Sequence, residues 1–85
     1  MTRYWLTFPQ LDTPHPINLG CGVTARDYDD ALLLVRETFP DLALGAPVAA
    51  IDNIDVSTLD AGHVLPNMGN VLTRGVWWPR LSLGA

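Results

Sequence analysis

The segment from Asp27 to Phe39 constrains the fold more than any other part of this 85-residue chain. Apolar side chains recur there at i, i+3, i+4 and i+7, the spacing of a helix that buries one stripe. Asp27 is placed to cap the first turn, and Pro40 ends the helix because the residue before a proline is driven out of the helical region. The stripe consists of Tyr28, Ala31, Leu32, Val35 and Phe39, widened by Leu34 and Thr38. A helix with one apolar side needs a second apolar surface, which the rest of the chain must supply.

Four segments around this helix have strand character. Residues 3–8 and 17–24 precede the helix, and residues 48–56 and 71–78 follow it. The sequence therefore predicts a single α+β domain in the order ββαββ, with one helix packed on a three- to four-stranded, mostly antiparallel sheet. This order is compatible with a β-grasp-like sheet or with half of a ferredoxin-like fold, a similarity of architecture that carries no function.

The second segment, 17–24, alternates between an apolar face and a nearly bare one. Ile17, Leu19, Cys21 and Val23 form the apolar face. Gly20 and Gly22 fall on the other face, where glycine often marks the close approach of something bulky. Trp5 lies on the outer side of the neighbouring strand, and we expect it to shield these glycines.

The last segment contains two adjacent tryptophans, which must face opposite sides of a strand. Trp78 is predicted to join Leu72 and Val76 in the core. Trp77 is then on the outer face, and two interpretations of it are open. It is either a contact for a partner or a cover for the open side of the sheet.

Charge is distributed unevenly along the chain. The net charge is −4, all five basic residues are arginine, and lysine is absent from the sequence. Residues 27–60 carry eight acids against one arginine, a net charge of −7, so the middle of the chain is acidic. Binding of duplex nucleic acid needs clustered cations, and this balance argues against it. The single cysteine, the lack of a signal-peptide pattern and the lack of a long apolar run lead us to expect a cytoplasmic protein outside the membrane.

Residues that catalysis or metal binding would use are present, but their pattern is not that of a known site. A thiol triad would require Cys21, His63 and either Asp55 or Asp60, yet Cys21 belongs to the apolar face of its strand. His15 and His63 do not stand at the spacing of metal ligands on one helix or hairpin. We therefore predict no catalytic residues, no cofactor and no metal, and a protein that is not an enzyme.

The pattern of polar and aromatic residues favours a binding surface. Tryptophan and arginine often dominate protein interfaces, and one leucine interrupts the polar side of the helix. We predict a small protein-binding module (an inhibitor, adaptor or accessory subunit) that uses an acidic helix side and the C-terminal strand with its preceding loop. Its partner is expected to be another protein, one with a basic surface. The predicted contact residues are Leu33, Asp60, His63, Asn67, Asn70, Arg74, Trp77 and Arg80.

Two alternatives remain open. One is a small-ligand site or enzyme in the loop 60–70, with His63 as acid or base and Asn67 or Arg74 as anchors. A single sheet of this size offers little concave volume, so such a site would be formed at an interface between copies of the chain. The other is a homo-oligomer formed through an unpaired edge strand.

Overall fold

The computed structural model describes residues 1–62 and 64–79, so the predictions made for His63 and Arg80 lie outside the described residues. The four strands and the helix are β1 (Thr2–Thr7), β2 (Cys21–Ala25), α1 (Tyr28–Thr38), β3 (Ala49–Asp52) and β4 (Gly75–Trp78). Three short 3-10 turns lie at Pro16–Leu19, Val56–Thr58 and Leu65–Asn67. The order along the chain is ββαββ, which confirms the predicted α+β class.

The four strands form one sheet in the order β3-β1-β2-β4, and each neighbouring pair is antiparallel. Leu6 in β1 lies opposite Cys21 in β2 and opposite Ala50 in β3. Because β1 is antiparallel to both neighbours, β2 and β3 run parallel to each other on its two sides. The helix connects them in sequence, so β2, α1 and β3 form a split β-α-β unit with β1 between its two parallel strands.

Helix α1 begins and ends where its sequence predicts. The Asp27 side chain caps the first turn by accepting the N–H of Asp30 at 2.8 Å, and Phe39 donates its N–H to Val35 at 3.0 Å as the helix ends before Pro40. α1 has 11 residues, and the described chain contains no helix with the length and hydrophobicity that a membrane crossing requires. Its buried side covers one face of the sheet in a core that includes Tyr4, Leu6, Phe8, Cys21, Val23, Ala31, Leu34 and Val35.

The other face of the sheet is covered by tryptophans and by the long connection between β3 and β4. Trp5 and Trp77 lie side by side with ring centroids 6.0 Å apart, and both are buried. A Cβ atom at Gly20 would come within 2.3 Å of the Trp5 ring, and one at Gly22 within 2.3 Å of the Trp77 ring. The prediction that Trp5 shields a glycine is confirmed. The connection adds Ile54 and Val64 to this second core, with Val56, Leu59, Met68 and Val71 packed around it.

The predicted strand at 17–24 is shorter than expected, because its first half forms the 3-10 turn Pro16–Leu19. Proline at the first position suits such a turn, and the Nδ1 atom of His15 accepts the N–H of Ile17 at 3.0 Å. Gly20 then adopts φ 127°, a conformation that favours glycine, and β2 begins at Cys21. Ile17 is buried as predicted, but the expectation that Leu19 faces the core is wrong, since Leu19 is half-exposed.

The last strand is also shorter than predicted, and its faces differ from the expected ones. It starts at Gly75, and Leu72 lies in the preceding turn with 80% of its surface exposed. Val76 packs on the helix side as predicted. Trp78, however, joins Trp77 in the second core. The register with β2 shifts between Gly22 and Val23, and this irregularity interrupts the simple alternation of sides.

The third strand is shorter than the predicted segment 48–56. β3 stops at Asp52, and Asn53 adopts φ 54°. The chain continues into the 3-10 turn Val56–Thr58, which is capped by the side chain of Asp55 because this side chain accepts the N–H of Ser57 at 3.0 Å. Asx caps of this kind satisfy backbone donors that a short turn leaves open.

The seating of Trp77 on Gly22 leads to a stability prediction. Gly22→Ala places a methyl group against the indole ring, so Trp77 must move, and we expect unfolding free energy to fall by about 1–3 kcal/mol. The matched control is Gly45→Ala, since no atom of the described residues beyond its chain neighbours lies within 4 Å of a Cβ at Gly45. Urea unfolding of both variants measures the difference. Equal stability of the two variants would show that the contact is not tight.

Candidate functional site

The outer side of α1 carries one exposed apolar side chain among charged ones. Leu33 is 49% exposed in the middle of the helix, as its sequence position predicts. Asp29, Arg36 and Glu37 lie three or four residues away from it, on the same side of the helix, and all are exposed. Leu33 is thus an exposed apolar side chain with two acids and one arginine around it.

Arg74, a predicted contact residue, is held against α1 by a bidentate ion pair. Its Nε donates to Oδ2 of Asp30 at 3.0 Å, and its Nη2 donates to Oδ1 of the same carboxylate. Asp30 also accepts the backbone N–H of Arg26 at 3.0 Å, and only 12% of its side chain is exposed. Arg74 therefore fastens the segment before β4 onto the helix, and its charge is matched by a carboxylate.

The electrostatics of this pair follow from the same contacts. The hydrogen bonds from the Arg74 side chain and from the Arg26 backbone lower the pKa of Asp30 from 3.8 to about 2. In return, the hydrogen bond to Asp30 raises the pKa of Arg74. Both groups stay charged at neutral pH, so the attachment of this segment to α1 persists there.

The turn that leads to Arg74 presents a second exposed leucine. The Asn70 side chain accepts the N–H of Leu72 at 2.8 Å, an Asx turn that fixes the local backbone. Thr24 in β2 donates its hydroxyl to the carbonyl of Val71 at 2.6 Å and ties the turn to the sheet. Leu72 was predicted to lie in the core, so sequence reasoning missed it as a surface residue. Asn70, two residues before Leu72, could have indicated a turn at this position, because asparagine side chains often bond the backbone two residues on.

Trp77 covers the sheet and does not reach the surface, with 1% of its area exposed. Of the two interpretations that the sequence left open, the structure agrees with the second, in which Trp77 covers the open side of the sheet. Any influence of Trp77 on a binding surface is therefore indirect, through the packing of the second core.

Two of the predicted loop contacts, Asp60 and Asn67, lie in the layer opposite the helix. The Asp60 side chain accepts the N–H of Gly62 at 2.7 Å, and its carbonyl accepts the N–H groups of Val64 and Leu65, so Asp60 organises the turn. Asn67 is half-buried in the 3-10 turn and donates its N–H to the Val64 carbonyl at 3.0 Å. The fold thus brings Arg74 to α1, the helix that carries Leu33, whereas the segment of Asp60 and Asn67 packs on the tryptophan side. Asn70 lies in the turn between these two parts.

Cys21, considered for catalysis, and His15, considered for metal binding, both occupy structural positions. Cys21 is fully buried, and burial raises the pKa of its thiol to about 12, so a thiolate is not available at neutral pH. His15 caps the first 3-10 turn through Nδ1 and meets Phe39 edge to face, with ring centroids 5.9 Å apart. Within residues 1–62 and 64–79, there is no group of three or more His, Cys, Asp or Glu side chains placed to hold a metal ion.

A shallow groove of about 500 Å³ lies at the C-terminal end of α1. Its lining includes His15, Glu37, Phe39 and Asp41, and it is open to solvent. Two carboxylates beside the carbonyl end of a helix favour a cation over an anion there. The groove is formed by other parts of the chain than the loop 60–70.

The Asp30–Arg74 pair makes stability depend on pH in the acid range. Because folding lowers the Asp30 pKa, the pair stabilises the native state above about pH 4, and this contribution is lost as the pH falls toward about 2. We expect Asp30→Asn to be less stable at neutral pH and to lose less stability than the wild type between about pH 4 and 2. Urea unfolding at a series of pH values measures this. Asp29→Asn, a change in the same helical turn, should keep the wild-type pH dependence; if Asp30→Asn keeps it too, the pair does not couple to folding.

The chain has no match among models of protein families, curated proteins or solved structures. The features that bear on its function are therefore those of the molecule itself. They are Leu33 and Leu72, which are exposed on α1 and on the turn attached to it, the exposed acids of α1, and the ion pair that fixes this turn to the helix.

Proposed function

We propose that this chain is a small non-enzymatic protein-binding module (an inhibitor, adaptor or accessory subunit) that contacts its partner through the outer side of α1 and the adjoining turn, residues 70–74. The observation that carries the proposal is Leu33, 49% exposed within a charged helix surface. Leu72 supplies a second apolar side chain on a turn that the Arg74–Asp30 pair attaches to the same helix. Apolar anchors with a polar margin are the usual composition of a protein interface.

Charge supports a partner with a basic surface. Residues 27–60 have a net charge of −7, and the Arg74 guanidinium is already matched by Asp30. The acids Asp27, Asp29, Glu37 and Asp41 are exposed on α1 and at its two ends. Opposite charge across an interface accelerates association and selects the partner, so a basic protein surface, including one that normally meets nucleic acid, suits this side of the molecule.

This proposal narrows the contact surface derived from the sequence. Leu33, Asn70 and Arg74 remain within it, Asn70 by shaping the turn and Arg74 by fastening it. Trp77 is buried, so it affects this surface only through the packing of the second core. The groove at the end of α1 favours the alternative of a small-ligand site, but one with a cationic ligand and away from the loop 60–70.

The proposal predicts that Leu33 and Leu72 act together in partner binding. Leu33→Ala with Leu72→Ala should weaken capture of the native partner roughly 10- to 100-fold, since apolar anchors at an interface each contribute about 1 kcal/mol or more. The measurement is quantitative affinity capture from the source cells, with mass spectrometry of proteins retained by the wild type and lost with the double variant.

The control is Leu19→Ala, because Leu19 is 47% exposed but lies in the 3-10 turn before β2. It should retain every specific partner of the wild type. Urea unfolding confirms that both variants are folded. A folded double variant that captures the same proteins as the wild type would refute the proposed surface.

The acidic margin gives a separate prediction about rate. Asp29→Asn with Glu37→Gln should slow association with the captured partner roughly tenfold at low salt, and the difference should shrink as ionic strength rises. Surface plasmon resonance at several salt concentrations measures both effects. If the wild type and the double variant associate at the same rate at all salt concentrations, the partner has no basic surface opposite Asp29 and Glu37.

A further inference from the structure

β3 is an edge strand whose backbone and side chains are open on its outer side. It lies at the end of the sheet beyond β1, and among the described residues no strand pairs with that side. All four of its residues are exposed, and 50% of the Ile51 surface is accessible to solvent. α1 packs mainly against β2 and β4, which leaves the helix side of β3 uncovered as well. An exposed, apolar edge of this kind is a template for another strand.

The direction of the backbone groups in β3 follows from its contacts with β1. The carbonyl of Thr7 accepts the N–H of Val48 at 2.7 Å, and the carbonyl of Arg3 accepts the N–H of Ile54 at 3.1 Å. Both carbonyls therefore point toward β3. In an antiparallel strand the N–H and C=O of one residue point to the same side, and the side alternates from residue to residue. The odd-numbered residues of β1 thus direct their backbone groups at β3.

The same alternation identifies the free groups of β3. Ile51 lies directly opposite Trp5, which is one of these odd-numbered residues, so Ile51 directs its N–H and C=O toward β1. Its neighbours Ala50 and Asp52 alternate with it. They direct their N–H and C=O groups away from the sheet, where a second strand can reach them.

We propose that two copies of this chain pair through β3, antiparallel, around a two-fold axis at Ile51. Ala50 of each copy then lies opposite Asp52 of the other, and each of these pairs exchanges both of its N–H···O=C bonds. Ile51 lies opposite the same residue of the second copy, on the tryptophan side of the sheet. The two sheets become one continuous sheet with closed symmetry.

A second copy fits this edge because the register is self-complementary. Each outward N–H and C=O of Ala50 and Asp52 has a partner in it, and the two Ile51 side chains, each half-exposed alone, cover one another. A register centred on Ala50 would instead place Asp52 opposite Val48, whose N–H is already bonded to Thr7. The pairing leaves the outer side of α1 free, so it is independent of the proposed partner surface.

One charge opposes this dimer and provides a check on its register. Asp52 and Asp52 of the second copy become diagonal neighbours on the helix side, so like charges weaken the association. The dimer should therefore be weak at low salt and stronger at high salt. Asp52→Asn should tighten it several-fold, because the substitution keeps the backbone groups and removes the repulsion.

Sedimentation equilibrium up to about 1 mM protein tests the association. The expected result is a monomer–dimer equilibrium between the 9.3 kDa chain and twice that mass. A monomer at all concentrations and salt conditions, or continued growth beyond a dimer, overturns the proposal.

Two substitutions at the edge should return the protein to a monomer. Ala50→Pro removes an N–H that points away from β1, so it should weaken dimerisation at least about tenfold while the fold is retained. Ile51→Lys places two cations opposite each other in the dimer and should also weaken it. This variant replaces Ala50→Pro in the test if the proline variant does not fold. Leu19→Lys, at a similarly exposed leucine, should leave the dimer unchanged. Dimerisation that survives in folded Ala50→Pro or Ile51→Lys overturns the proposal.

Disulfide trapping tests the register. Ile51→Cys brings two thiols into a directly opposed pair with Cα atoms about 4.5 Å apart, which permits a disulfide. In Ala49→Cys the same distance is roughly 14 Å, too far for a bond. Mild oxidation should give a covalent dimer with Ile51→Cys only, since Cys21 is buried. Equal trapping of the two variants, or trapping of neither, rejects this register.

Discussion

The close seating of two tryptophan rings on two bare glycines determines how this small sheet is covered. Trp5 lies over Gly20 and Trp77 over Gly22, with no room for a Cβ atom beneath either ring. This contact turns the side of the sheet away from α1 into a second core, on which Ile54 and the connection 53–74 pack. A chain of 85 residues buries only about 60–65% of its potential surface, so a core on both faces of the sheet is a large part of its stability.

Because both faces of the sheet are covered, two other parts of the described surface stay open to contact. The connection between β3 and β4 is used to close the tryptophan side, and its residues serve mainly as turn and packing elements. The outer side of α1 has no such layer among the described residues, and Leu33 is exposed there. The Arg74–Asp30 pair extends this side by holding the turn of Leu72 against the helix. The second uncovered part of the surface is the edge strand β3, which α1 does not cover because it packs mainly over β2 and β4.

The sequence predicted the elements better than their ends. Both ends and the buried side of the helix were predicted, because the Asp27 cap, the apolar stripe and Pro40 all indicate the same segment. The strand at 17–24 was predicted too long, since alternation at Ile17 and Leu19 also fits a 3-10 turn, and the cap from His15 depends on a side-chain geometry that a pattern does not contain. Trp78 was assigned to the wrong face because the pairing of β4 with β2 shifts by one residue at Trp77, and this shift overrides strict alternation.

For the candidate site, local signals predicted exposed Leu33, but not the pairing of Arg74 with Asp30, residues 44 positions apart in sequence. The most direct test of the proposed surface places a photo-crosslinking amino acid at position 33, 72 or 19 in the source cells. We predict that positions 33 and 72 give an adduct with the same protein and that position 19 gives none. An adduct at position 19 alone, or no adduct at positions 33 and 72 in a folded protein, would contradict a partner surface on this side of the helix.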